Sequence, residues 1–215
     1  MLLRSYVAGS RSLNAVSIIA RRVSSGEMKN LVVVNEIETG IFHVMLNRPE
    51  KMNALSVGMF EAIAETAVSF KQNKQARVII LSGNGKAFCT GLDVKSVGSN
   101  PTNFSKLLQK PAGTEISNLA QDVGYLWRQL PVPVIASIHG MCFGGGLQIA
   151  MGADFRFSTP DCKLSVMEAK WGLIPDMSAS VTFREVVRLD VIKLLSMTAR
   201  VFTGEEGRHY GFITR

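Results

Sequence analysis

The chain has 215 residues, of which 47% are hydrophobic and 19% charged, with a slightly positive mean hydropathy. That is enough to bury one full core, and it excludes disorder, collagen and coiled coil. Apolar runs such as Val78 to Leu81 and Val132 to Ile138 fall far short of the roughly 18 residues a membrane-spanning helix needs, and the net charge of +7 is unevenly placed.

Residues 1–30 carry Arg4, Arg11, Arg21, Arg22 and Lys29 against Glu27 alone. Of the chain's 24 basic and 17 acidic residues, 19 and 16 are left for the rest. A small excess with no basic and aromatic cluster predicts no nucleic-acid partner. The first segment, MLLRSYVAGSRSLNAVSIIARRVSSG, is rich in Arg and Ser and free of acids before Glu27. On a helix, Arg4, Arg11 and Arg22 share one face, with Leu2, Tyr6, Leu13, Val16 and Ala20 roughly opposite. This pattern predicts a mitochondrial presequence over residues 1–28, with a secretory signal or an ordinary first helix with a solvated basic face as the rival readings, a matrix location, and one domain over 29–215.

From Leu31 the sequence turns to β-branched runs, LVVVNEIE and IFHVML, separated by Thr39-Gly40, which predicts a hairpin. After the loop NRPEKMNAL, Ser56 reads as the N-cap of a helix to about Phe70, with Met59, Phe60, Ile63, Ala67 and Phe70 on one face. RVIILSG reads as a buried strand, residues 98–113 as a loop, and Ile116 through Leu130 as a second amphipathic helix. PVPVIASI is a further strand, GGGLQIAMGAD a short helix, and FRFS and KLSV short strands. Helical segments are predicted from about Ser178 to Met197, and Thr203 with Glu206 forms a capping box for a last helix. Strand, helix and strand in alternation predict an α/β layer fold, mostly parallel after the hairpin.

Two strands run into glycine-rich turns, VIILSGNGKAFCTGLD and VIASIHGMCFGGGLQIA. Neither carries a Walker loop or a full GxGxxG fingerprint, and there is no GxSxG elbow. His43, His139 and His209 bear no recognisable relation to a nucleophile and read as structural. Cys89, Cys142 and Cys162 form neither a disulfide framework nor a zinc motif, so a reducing compartment and no metal are expected. A glycine turn that opens a helix does offer bare N–H groups at the positive end of the helix dipole. Two such turns facing one oxygen would stabilise an enolate.

LNRPEKMNAL, GKAFCTGLDV, PVPVIASIHGMCFGGGLQIAMGADFRF and KLSVMEAKWGLIPD together resemble the crotonase superfamily, also called the enoyl-CoA hydratase/isomerase family, in order and spacing across residues 46–176. The resemblance implies a crotonase-like spiral of repeated ββα units and acyl-CoA thioester substrates. It implies no cofactor, because the coenzyme A is part of the substrate. It also implies an oxyanion hole from two backbone amides, which fall here on Leu92 and Gly145. The NRPEKMNAL loop and Leu92 to Lys95 would line the coenzyme A groove through Lys51, Asn53, Asp93, Val94 and Lys95, with Lys51, Lys86 or Lys95 meeting phosphates.

The acid groups decide the reaction. Hydratases of the family use two glutamates; Glu168 matches one, and Gln148 stands in place of the other. A neutral amide neither activates water nor protonates carbon. Asp176, eight residues after Glu168, matches an acid of the dienoyl-CoA isomerases, which also carry an acid at position 148. The resemblance thus implies a double-bond isomerase with Glu168 as principal base, Asp176 as partner, and Gln148 orienting substrate or packing. The rival readings are an enoyl-CoA hydratase, a CoA-thioester hydrolase, or a non-catalytic binding protein on the same scaffold. Family members usually carry glycine near Ala179 and threonine near Ser180. They also continue for several dozen residues beyond the stretch matching VFTGEEGRHYGFIT, forming helices that build a trimer, so a trimer or hexamer is implied where that region is present.

Overall fold

The computed structural model describes residues 30–110 and 116–215; the presequence read over 1–28 lies outside them. The first hairpin forms as expected. Strand β1 (Val32–Glu38) pairs antiparallel with β2 (Ile41–Leu46) across a tight turn at Thr39-Gly40. Phe42, Val44 and Leu46 alternate into the core while Ile41, His43 and Met45 are half-buried on the other face.

Helix α1 (Val57–Lys71) starts where the sequence places it, with the Ser56 hydroxyl accepting the Met59 N–H at 3.3 Å. Its buried face, Met59, Phe60, Ile63, Ala64, Ala67 and Phe70, follows the helical period. Strand β3 (Val78–Gly83) lies parallel to β2. Three helices follow: α2 (Val94–Gly98), α3 (Pro101–Leu108) and α4 (Leu119–Tyr125). The loop expected over 98–113 therefore contains a helix. Asn100 accepts the Thr102 N–H at 3.0 Å and Pro101 takes the first helical position, a local start signal that outweighs the weak apolar period. The second amphipathic helix is shorter than its pattern. Ile116 is 70% exposed, Asn118 caps the helix, and the last turn tightens to a 3-10 form over Leu126–Gln129.

The next four strands alternate between two sheets. Strand β4 (Val134–Ile138) joins the first sheet, β5 (Met141–Phe143) the second, and α5 (Gly145–Ala150) follows. The next turn repeats the plan with β6 (Phe155–Ser158) in the first sheet, β7 (Lys163–Ser165) in the second, and α6 (Ala179–Thr182) after them. Then come α7 (Leu189–Thr198), β8 (Phe202–Thr203) and α8 (Gly204–Tyr210), the last with its capping box intact at 2.8 and 3.1 Å. The first sheet runs β1-β2-β3-β4-β6, parallel beyond the hairpin, and the second β5-β7-β8. A parallel bridge between Cys89 and Cys142 ties the segment after β3 into the second sheet. After the opening hairpin, whose two strands both lie in the first sheet, each turn of the chain adds a strand to the first sheet, extended chain to the second and then a helix, which is the expected spiral. Trp127, Phe60, Phe88 and Phe183 fill the interior, with the Trp127 indole N–H satisfied by the Val123 carbonyl at 3.0 Å.

Candidate active site

The two glycine turns meet. Leu55 donates its N–H to Gly91 O at 2.8 Å and accepts from Asp93 N–H at 3.0 Å, forming a parallel bridge with Leu92. In such a bridge the N–H of the middle residue points away from its partner. On the far side, Cys89 exchanges backbone hydrogen bonds with Met141 and Phe143, which brings β5 and the start of α5 alongside. The approach is close enough that a Cβ on Gly91 would lie 2.8 Å from Phe143 O and 3.3 Å from the Gly145 nitrogen. Among the described residues neither the Leu92 nor the Gly145 N–H has an acceptor. Two unspent donors on adjoining turns can serve one oxygen.

Glu168 opens a 3-10 turn (Glu168–Trp171) directly after β7 and is only 9% exposed. Its Oε1 accepts the Gln148 side-chain amide at 2.6 Å, and its buried Oε2 has no partner among the described residues. Burial pushes the Glu168 carboxyl above its usual range. The dipoles of its own N–H and of the Gln148 amide pull the other way, while the charge of Asp176 adds to the rise. A carboxylate so placed holds a proton more tightly than a solvated one and has a free oxygen to take it. Asp176 itself is exposed, its N–H bound to Ile174 O at 2.9 Å. Helix α6 begins at Ala179 with Ser178 as its flanking residue, so Asp176 does not cap it.

The groove residues divide sharply. Asn53, expected to line the groove, is fully buried in the left-handed conformation. Its Nδ2 donates to Asn84 O, Ala87 O and Phe88 O at 2.9, 2.9 and 3.2 Å, and its Oδ1 accepts Arg48 N–H at 2.8 Å. With every polar atom engaged, it acts as a strut behind the loop, not as a lining residue. Asp93 caps α2 through Ser96 N–H at 3.1 Å and pairs with Arg48 at 2.7 Å. Burial works against its ionisation, but the Arg48 guanidinium and the Ser96 N–H outweigh it and hold the carboxyl below its usual range. Arg48, which also donates to Ala54 O at 3.0 Å, stood inside the sequence motif without being singled out. Lys51, Lys86, Val94 and Lys95 are all exposed, and Leu92 is half-buried against the core.

Other reactive groups are out of play. Burial pushes the Cys89 and Cys162 thiols up to about 12 and raises Cys142 as well, so none supplies a thiolate. His43 bonds Ser82 Oγ at 2.7 Å and His139 bonds Gly85 O at 3.0 Å. Among the described residues no group of His, Cys, Asp and Glu is arranged to hold a metal, and no helix is long and apolar enough to cross a membrane.

Residues 36–215 match the profile of enoyl-CoA hydratase/isomerase, and the chain belongs to that family. Among its relatives is a peroxisomal Delta(3,5)-Delta(2,4)-dienoyl-CoA isomerase of Arabidopsis thaliana, 31% identical over 86% of this chain and 68% of the relative. The mitochondrial isomerase of that name from Rattus norvegicus is 28% identical over 86% of this chain and 58% of its own length. A hydroxycinnamoyl-CoA hydratase-lyase of Pseudomonas fluorescens is 30% identical over 83% and 63%. The crystal structure of an enoyl-CoA hydratase from Mycobacterium smegmatis superimposes with a TM-score of 0.75 at 25% identity, covering 87% of this chain and 70% of that one. The chain thus spans between about three-fifths and two-thirds of the length of these isomerases.

Proposed function

We propose that this chain shifts a double bond along the acyl chain of an unsaturated acyl-CoA thioester. Glu168 Oε2 removes a proton from the carbon next to the thioester carbonyl. The electron pair moves onto the carbonyl oxygen, and the resulting enolate is held by the Leu92 and Gly145 N–H groups. As the enolate collapses, the proton is delivered two carbons further along and the double bond comes into conjugation. The observation that carries the reading is the buried, unpartnered Oε2 of a carboxyl with a raised pKa, beside an amide where a hydratase would need a second acid. Asp176 contributes its charge and serves as an auxiliary acid. The reaction uses no cofactor beyond the coenzyme A of the substrate.

The test is incubation with 2-enoyl-, 3-enoyl- and 3,5-dienoyl-CoA, following ultraviolet absorbance and product mass. Conversion without mass gain, reduced about a hundredfold or more by Glu168→Gln, is expected. A product heavier by one water supports the hydratase instead, a free thiol the hydrolase, and binding without turnover a non-catalytic scaffold.

A mitochondrial matrix location is supported by the composition of residues 1–28 and by relatives named mitochondrial, against the relative named peroxisomal. Import of a fluorescent protein fused to residues 1–28 tests it. A homo-oligomer is supported by the exposure of Trp171, Ile174, Leu194 and Met197; light scattering on the purified chain reads its order.

A further inference from the structure

Gln148 is 1% exposed and makes two side-chain hydrogen bonds. Its Oε1 accepts the Ala179 backbone N–H at 3.3 Å, and its Nε2 donates to Glu168 Oε1 at 2.6 Å. The orientation of the amide is forced from both ends: a backbone N–H only donates, and an ionised carboxylate only accepts. Ser178 stands just before that N–H with φ +77°, a left-handed conformation a serine rarely adopts. Its buried hydroxyl has no partner among the described residues, so side-chain hydrogen bonding does not compensate the strain. What the conformation does is turn the first N–H of α6 toward Gln148.

From this geometry we infer that Gln148 is a positioning residue that withdraws one oxygen of Glu168 from the chemistry and leaves Oε2 as the atom that carries the proton. The inference rests on Glu168 being the base. A proton on Oε1 would face the Gln148 amide hydrogens, two donors with no acceptor between them, so it is accommodated only on Oε2. Any proton that Glu168 takes or returns therefore passes through that one atom. The Ala179 N–H, the Gln148 amide and the Glu168 carboxylate form a single chain reaching from α6 through α5 to the turn after β7. Filling space has no need of that chain; fixing a base against rotation does.

The test is a carbon-13 titration of the Glu168 carboxyl in the whole protein, assigned by its loss in Glu168→Gln. Gln148→Met, similar in length but without a donor, is expected to raise the Glu168 midpoint by about one pH unit. Gln148→Glu, which sets a second carboxylate against Oε1, is expected to raise it further. In turnover, the acid limb of the kcat profile moves up by the same amount while KM stays within about twofold. An unmoved midpoint in a folded Gln148→Met overturns the inference. If neither variant folds, the wild-type Gln148 side-chain NH2 resonances decide: they are expected to titrate with the Glu168 midpoint, and resonances flat across that range overturn the proposal. These titrations need no substrate. An inactive chain with coupled titrations would sink the isomerase reading alone, and an active chain with uncoupled ones the role of Gln148 alone.

Discussion

The two glycine turns each leave a backbone N–H without an acceptor among the described residues, but they are held in different ways. The turn at Gly91, Leu92 and Asp93 is fastened by side chains: Asp93 caps α2 and pairs with Arg48, and Arg48 reaches back to the loop Asn53 supports. The turn at Gly144, Gly145 and Gly146 has no side-chain cap at all. It is fully buried, with the Gly144 N–H on Ser165 O at 2.9 Å and the backbone of the Cys89 segment pressed against it. A donor can thus be aimed by bonds that substitution removes one at a time, or by space that any added atom destroys.

The sharpest way to break the comparison is Gly146→Ala. Its Cβ would lie 2.3 Å from Cys89 O, a backbone atom that cannot move aside, so a loss of about 3 kcal/mol or more is expected in urea denaturation. Next is Leu92→Pro, which deletes the proposed oxyanion donor. If that role holds, kcat falls about a hundredfold or more, whereas Leu92→Ala, keeping its N–H, stays within a few-fold. Asp93→Ala removes a cap and an ion-pair partner and should cost about 1 kcal/mol at neutral pH. Because Asp93 is held below its usual range, its contribution is lost as the pH falls through its folded value, so the variant and the wild type should converge in acid.

The smallest effect has the opposite sign. The folded Glu168 carboxyl binds its proton more tightly than in the unfolded chain, so its ionisation destabilises the fold as pH rises through the folded value. Glu168→Gln is therefore expected to melt slightly higher than the wild type at neutral pH, the gain vanishing below about pH 4. A lower melting temperature at neutral pH would mean that the charged form is better solvated in the fold than its burial implies.

The sequence made legible what is local. The Thr39-Gly40 hairpin, the Ser56 cap and the Thr203 and Glu206 box each rest on residues within a few positions of one another. The glycine turns were legible as donors through the backbone chemistry they share. Asn53 was misplaced because what it does depends on carbonyls at 84, 87 and 88, which only the fold brings to it. The same holds for Gln148: composition says a neutral amide, while the Ala179 N–H, 31 residues on, says which way the amide points. The strain at Ser178 has no sequence signal, since serine is unremarkable in a loop. Ala179, where family members usually carry glycine, is buried and begins α6.

The spiral has a consequence for how activity and integrity are linked. Leu92 comes from the segment after β3, Gly145 and Gln148 from the turn built on β4 and β5, and Glu168 and Ala179 from the turn built on β6 and β7. None of these layers holds a usable fraction of the site. A chain that has stacked two of them has the proposed oxyanion donors but not the proposed base, and fraying of the last layer removes Glu168 while the first two keep most of the secondary structure. If the proposed roles hold, turnover would report on the integrity of that last layer, and would disappear before spectroscopic signs of unfolding become visible.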